Sequence, residues 1–291
     1  MTDIQAAACF LTGFHNPQGR ALAVGWLLAD GPEDLLFVTA RPLVATLRDR
    51  LQRFVLRARS ARGCLERTAR CRGLAGLGIA AALAAMDSRP RPSRLAARRA
   101  PRARRRTAAR RPRRSPRCHD AAGPRCLVLR APPALLEALA GAGVGDDSDW
   151  HAADVAGGRP AVLPATSEAF VAQMLNLDVL DGISFRKGCY TGQEVIARAH
   201  YRGRVKRRMQ RLRTLAAQAQ PLAPGARGRP GDGRAFEVVD AVQPADGRCE
   251  FLAVTARRVP CAATIPASGR RTAAPTPGPA GSAALLYALP D

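Results

Sequence analysis

The stretch Lys187-Gly188-Cys189-Tyr190-Thr191-Gly192-Gln193-Glu194, within GISFRKGCYTGQEVIARAHYRGRVKRR (182–208), decides how this chain is read. Thr191 followed three residues later by Glu194, with Val195, Ile196 and Ala197 next, has the form of a capping box. In that arrangement the Thr191 hydroxyl accepts from the Glu194 N–H, and the Glu194 carboxylate reaches back to the Thr191 N–H. Tyr190 before the cap and Val195 at the fourth helical position have the spacing of a hydrophobic staple. The pattern predicts a helix from about Gly192 to Tyr201 that stops at Gly203. Cys189 lies just upstream of the helix start, with Arg186 and Lys187 close in sequence. The helix dipole and the two cations both favour thiolate, so Cys189 is the chain's best candidate for a reactive, catalytic cysteine. A plain capped helix beside an inert, buried thiol is the competing reading.

KGCYTGQEVIARAHYRGRVKRR resembles the signature K-G-C-Y-x-G-Q-E of the YgfZ family, folate-binding relatives of the glycine-cleavage aminomethyltransferase (T-protein). PATSEAFVAQMLNLDVLDGISF (164–185) is similar to the segment leading into that motif. HNPQGRALAV (15–24) resembles the family's early N-P-x-G-R strand and turn, and LRDRLQRFVLRARS (47–60) its following helix and strand entry. The resemblance implies an α+β fold: a GcvT-like folate-binding domain over residues 1–203, then a small C-terminal β-barrel over 204–291. It implies tetrahydrofolate, or a one-carbon derivative, as cofactor, and a role in iron–sulfur cluster assembly or repair. It implies an accessory factor rather than a turnover enzyme, working on iron–sulfur client proteins or with assembly factors, and it links the chain to tRNA modification.

At 291 residues the chain is long enough for a sizeable core and two domains. No apolar run reaches membrane-spanning length and no signal peptide is read, so the expectation is a cytoplasmic protein without membrane contact. Its eight cysteines, at 9, 64, 71, 118, 126, 189, 249 and 261, include no C-x-x-C, and no metal site is read from them. The formal charge of +23 suggests nucleic acid at first sight. Its distribution argues otherwise: 14 arginines and no acid lie between Arg89 and Arg117, and the remaining 262 residues carry 23 − 14 = +9. An all-Arg, Ala/Pro-rich run is what a GC-rich gene gives when read out of frame, so residues 61–120 are expected to lie outside the folded domain. A disordered basic insertion and an RNA-binding arm are the alternatives. Nucleic acid is accordingly not expected as a partner, and a monomer is.

The first 14 residues are apolar and begin abruptly, which reads as a truncated N-terminus. Asn16-Pro17-Gln18-Gly19 is a turn by residue type. Strands are expected at Arg20–Leu28 and Leu35–Thr39, and a helix at Arg41–Phe54 with Leu43, Leu47, Leu51 and Phe54 on one face. Further on, a strand is expected at Leu127–Leu129, a helix at Pro132–Leu139 and a loop over Gly141–Trp150, and His151–Val162 resembles the family's next strand and turn. Thr166 reads as the cap of a helix carrying Phe170 and Met174. RVKRRMQRLR (204–213) reads as an exposed strand; strand-like runs follow at 235–242 and 250–256, and 285–290 resembles a closing strand.

A folate pocket needs an acid or amide for the pterin edge and cations for the glutamate tail. The candidates near the motif are Lys187, Gln193, Glu194 and Arg198, with Arg20 as a second tail cation and Glu194 in competition with its capping role. The four histidines, His15, His119, His151 and His200, show no metal-ligand spacing and no nucleophile partner. Two other readings stay open. A folate-dependent aminomethyltransferase is disfavoured because its pattern lacks the motif cysteine. An RNA-binding protein would use the arginine run and show a steep salt dependence.

Overall fold

The computed structural model describes residues 9–29, 35–54, 71–75, 113–114, 118–120, 123–129, 147–218, 220, 222–229, 234–244, 246–256 and 280–283. Helices and antiparallel sheets are both present, so the fold is α+β. The chain forms two compact units, one of residues 1–64 with 146–291 and one of 65–145.

The first unit opens with strand β1 (Cys9–His15), which sequence reading left unassigned. It pairs antiparallel with β2 (Ala21–Ala29), which pairs in turn with β3 (Leu35–Thr39). A 3-10 turn at Arg41–Leu43 leads into helix α1 (Val44–Gln52), close to the expected helix. Leu43 and Leu47 are buried, whereas Phe54 at the end of the expected apolar face is 63% exposed.

Helix α2 (Asp147–Ala156) replaces the loop expected up to Trp150 and the strand expected from His151. Asp147 and Asp149 in its first turn suit the positive end of the helix dipole, and Val155 is fully buried. The helix expected from Thr166 is also absent. The Thr166 hydroxyl instead accepts from the Leu163 N–H at 3.0 Å and closes a turn. This segment is drawn onto the edge of β2: Ala21 N–H donates to the Phe170 carbonyl, Glu168 N–H to the Ala21 carbonyl, and Arg20 bridges Val171. Backbone pairing to a strand overrides the local helical pattern there, and only a short 3-10 turn remains at Ala172–Leu175.

Helix α3 (Gln193–Tyr201) follows, and then five strands. They are β8 (Arg207–Thr214), β9 (Arg227–Gly228), β10 (Phe236–Val242), β11 (Glu250–Ala256) and β12 (Ala280–Ala283). They form one antiparallel sheet in the order β12-β8-β11-β10-β9. β8 is therefore flanked on both sides, and Arg208, Met209 and Leu212 are buried; the expectation of an exposed strand is corrected. Both faces of the sheet are covered. Met209, Leu252 and Val254 join a core with β2, α1 and α2, while Leu212, Phe236, Phe251 and Ala253 build a second core on the other side. Val239 is an extra residue between the pairs Val238↔Ala253 and Asp240↔Leu252. Such a bulge reverses the alternation of faces, which puts Asp240 on the side where α2 packs.

In the second unit, β4 (Cys71–Ala75), β5 (Arg113–Arg114) and β6 (Cys118–Asp120) all pair antiparallel with β7 (Gly123–Leu129). β7 contains the expected strand at 127–129. Three short strands thus fall inside the segment 61–120; the rest of that segment, the helix at 132–139 and the run 285–290 lie outside the described residues.

Candidate functional site

The site is built where two sequence motifs meet. In the turn at Asn16–Gly19, the Asn16 Oδ1 accepts from the Arg20 N–H at 2.9 Å, and Gly19 N–H donates to the Asn16 carbonyl at 2.9 Å. This side-chain-to-backbone bond is what an Asn at a turn start offers. Gly192 lies against it with φ of 81°. A Cβ at Gly192 would come within 2.4 Å of the Asn16 carbonyl oxygen and 2.9 Å of the Gly19 Cα. Glycine is required at 192 on both counts, conformation and space.

This contact changes how α3 begins. The N-cap is Gly192 in the left-handed region, with no side-chain cap bond, so the expected Thr191–Glu194 capping box does not form. A Thr N-cap needs an extended backbone at the residue before the helix, and the docking fixes Gly192 there instead. Gln193 closes the turn: its Oε1 accepts from the Tyr190 N–H at 3.2 Å, and its own N–H donates to the Tyr190 carbonyl at 3.1 Å. Gln193 therefore holds the helix head. Glu194 is released from capping and lies in the first turn, exposed and lining a cleft. At the other end the cap is Arg202, whose N–H donates to the Arg198 carbonyl, one residue before the expected Gly203.

Glu194, Val195, Arg198, Ala199, Arg202 and Gly203 line this open cleft, about 330 Å³ in volume, along one side of α3. Val195, the expected staple partner, is 41% exposed. Cys189 is exposed just before the helix, and a Cβ at the neighbouring Gly188 would meet nothing within 4 Å. The Lys187 ammonium stands 4.9 Å from the Tyr190 ring centroid. Arg20 starts beside this site, but its guanidinium donates to the Glu168 carbonyl at 3.3 Å and to the Ala169 carbonyl. It secures the 164–171 segment to β2 rather than joining the cleft.

The structure adds His15, which sequence reading left without a role. Its ring is buried over Gly13, and burial together with the Lys187 charge lowers its pKa to about 4. His15 Nε2 and the Tyr190 hydroxyl are buried with no hydrogen-bond partner among the described residues. Desolvation also raises the Tyr190 pKa. A second pair lies elsewhere: His151 on α2 and the buried Asp240 on β10, with Nε2 and Oδ2 2.8 Å apart. Their separation of 89 residues hid them from sequence spacing. Among the described residues, no group of three or more His, Cys, Asp or Glu side chains is gathered to hold a metal, and no helix is long and apolar enough to cross a membrane.

Similarity to known proteins points to one family. The tRNA-modifying protein YgfZ of Blochmanniella pennsylvanica is 52% identical over 67 residues, which is 23% of this chain and 20% of that relative. The tRNA-modifying protein YgfZ of Yersinia pestis is 40% identical over 123 residues, 41% of this chain and 37% of the relative. The same figures hold for that of Yersinia pseudotuberculosis. Over its matched part, this chain is similar to these YgfZ proteins. No family profile matches it. The matches span 20% to 37% of the length of these YgfZ relatives. Within this YgfZ-like chain the structure brings Lys187, Cys189 and Gln193 to the head of α3 and Glu194 and Arg198 to its flank, and it sets Arg20 apart.

Proposed function

We propose that this chain binds tetrahydrofolate, or a one-carbon derivative of it, at the head and flank of α3, and acts in iron–sulfur cluster assembly or repair as an accessory factor. The observation that carries the reading is the release of Glu194 from the cap. It leaves an acid and a cation, Glu194 and Arg198, on one cleft beside an exposed cysteine. The donor set fits the cofactor in kind. A pterin edge offers N–H donors to a carboxylate, and an acidic tail takes Arg198 and Lys187. The buried, unpartnered His15 Nε2 and Tyr190 hydroxyl are further polar atoms for such a ligand to satisfy. Bound folate would supply a one-carbon carrier; the side chains bind and orient it.

The proposal includes a GcvT-like folate domain over 1–203 and a β-barrel over 204–291, a cytoplasmic location, a monomeric state, and iron–sulfur client proteins or assembly factors as partners. The name of the relatives adds tRNA modification as the process served. It does not favour the aminomethyltransferase alternative.

Calorimetric titration with tetrahydrofolate tests the reading. Saturable binding is expected, weakened about tenfold or more by Arg198→Ala or Glu194→Gln, because each removes a charge-assisted bond of about 1.5–3 kcal/mol. Cys189→Ser should leave that binding intact and abolish complementation of a strain lacking the YgfZ protein. Absence of saturable binding overturns the proposal.

A further inference from the structure

An aromatic cluster sits at the C-terminal end of α3. Phe185 packs against the core and stacks on His200, with ring centroids 4.0 Å apart and planes 17° apart. Tyr201 meets both edge-on, at 5.9 Å and 69° to Phe185 and at 4.8 Å and 81° to His200. Tyr201 is nevertheless 69% exposed, the most exposed of the large apolar side chains among the described residues. Two edge contacts thus fix the plane of a ring that remains open to solvent. A side chain held in this way loses little freedom when a flat partner stacks on it.

Exposed cations flank this cluster along the chain. Arg186 and Lys187 follow Phe185, and Arg202, Arg204 and Lys206 follow Tyr201; all are exposed. Residues 185–208 contain eight Lys or Arg and a single acid, Glu194. Among the described residues, Arg186, Arg202, Arg204 and Lys206 enter no ion pair. An oriented, open aromatic ring with unpaired cations along the adjoining backbone is the combination that binds single-stranded nucleic acid.

We propose that this surface binds single-stranded nucleic acid, one base stacking on Tyr201 while Arg186, Arg202, Arg204 and Lys206 take neighbouring phosphates. A duplex keeps its bases stacked and offers this ring nothing but its ends. An anionic membrane would use the cations but not an oriented ring. The surface is distinct from the arginine run at 89–117, and it does not depend on folate binding.

Fluorescence anisotropy with short labelled oligouridine and oligothymidine tests the proposal on the full chain and separates RNA from DNA. Tyr201→Ala should weaken binding about 5- to 150-fold, and Tyr201→Phe should retain it. Arg204→Ala with Lys206→Ala should lower the slope of log affinity against log salt by about 1.4, which is about 0.7 for each phosphate no longer neutralised. Unchanged circular dichroism and tetrahydrofolate titration show that the fold and the neighbouring site are intact. Duplex RNA and anionic vesicles should bind more weakly, with no dependence on Tyr201. An affinity unmoved by Tyr201→Ala overturns the proposal, since binding through the arginine run is indifferent to that ring. So does failure of both single strands to bind at low salt, or equal binding of duplex with the same dependence on Tyr201.

Discussion

Arg202 and Arg208 stand six residues apart and meet opposite fates. Arg208, on β8, is 4% exposed. Its guanidinium grips Asp178 through two bonds of 2.9 and 2.8 Å and also donates to the Gln173 carbonyl. Further along the same strand, Arg211 pairs with Glu250, and Arg213 with Asp246 and Glu250. Arg202, at the end of α3, is exposed and enters no ion pair among the described residues. The sheet obeys the rule that a buried charge has to be matched, while the helix leaves its cations to solvent or to a ligand. Charge counted along the sequence does not separate the two; burial does.

The largest break in that contrast should come from Asp178→Ala. It leaves Arg208 buried without its carboxylate, and chemical denaturation should show a loss of about 3–5 kcal/mol. Arg202→Ala, its exposed counterpart, should change stability by less than about 0.5 kcal/mol. Equal effects would mean that Arg208 reaches solvent in solution.

Gly192→Ala probes the docking that releases Glu194. The positive φ costs a non-glycine residue about 1–3 kcal/mol, and the clash with the Asn16 carbonyl adds an overpacking cost of about the same size. A stability loss is expected in denaturant melts, accompanied by weaker folate binding because the head of α3 is displaced.

His15 and His151 should oppose each other in pH. His15 is held at about 4, against 6.5 in a free chain, by burial and then by Lys187. The unfolded chain therefore gains its proton first as pH falls. Stability present above about 6.5 is lost towards pH 4, by about 3 kcal/mol. His15→Gln should flatten that acid limb. His151 is shifted the other way, raised by its hydrogen bond to Asp240 and by the charges of Asp240 and Asp154, against its desolvation. Its contribution is complete below about 6.5 and fades as pH rises through the raised value; half-exposure keeps it under about 1 kcal/mol. Melting curves of His151→Ala across pH 6 to 9 should lose this small decline.

The smallest expected effects test the helix head. Gln193→Ala removes a bond to the Tyr190 N–H and should cost about 1 kcal/mol. Thr191→Ala should cost less than about 0.5 kcal/mol, since no cap bond is present. A loss of 0.5–2 kcal/mol for Thr191→Ala, the ordinary range for an N-cap, would restore the capping box.

Much of this molecule is written locally. The apolar spacing after the K-G-C-Y-x-G-Q-E stretch places a helix within a residue or so of Gln193–Tyr201, because helical periodicity is a property of neighbouring residues. Alternation and turn residues gave β2, β3, β10 and β11 nearly to their ends. Other features were decided only by the tertiary structure. The segment at 164–171 gave up its helical pattern because an open strand edge satisfied its backbone groups. β8 went inside because strands from later in the chain cover both its edges. Glu194 lost its cap, and Gln193 took over the turn, because the Asn16–Gly19 backbone docks on Gly192 from more than 170 residues away. Asp240 met His151 because a bulge at Val239 turned it onto the helix side of the sheet. Propensity and spacing act within a few residues, whereas strand edges, close backbone approach and the pairing of buried charge depend on what the fold brings alongside.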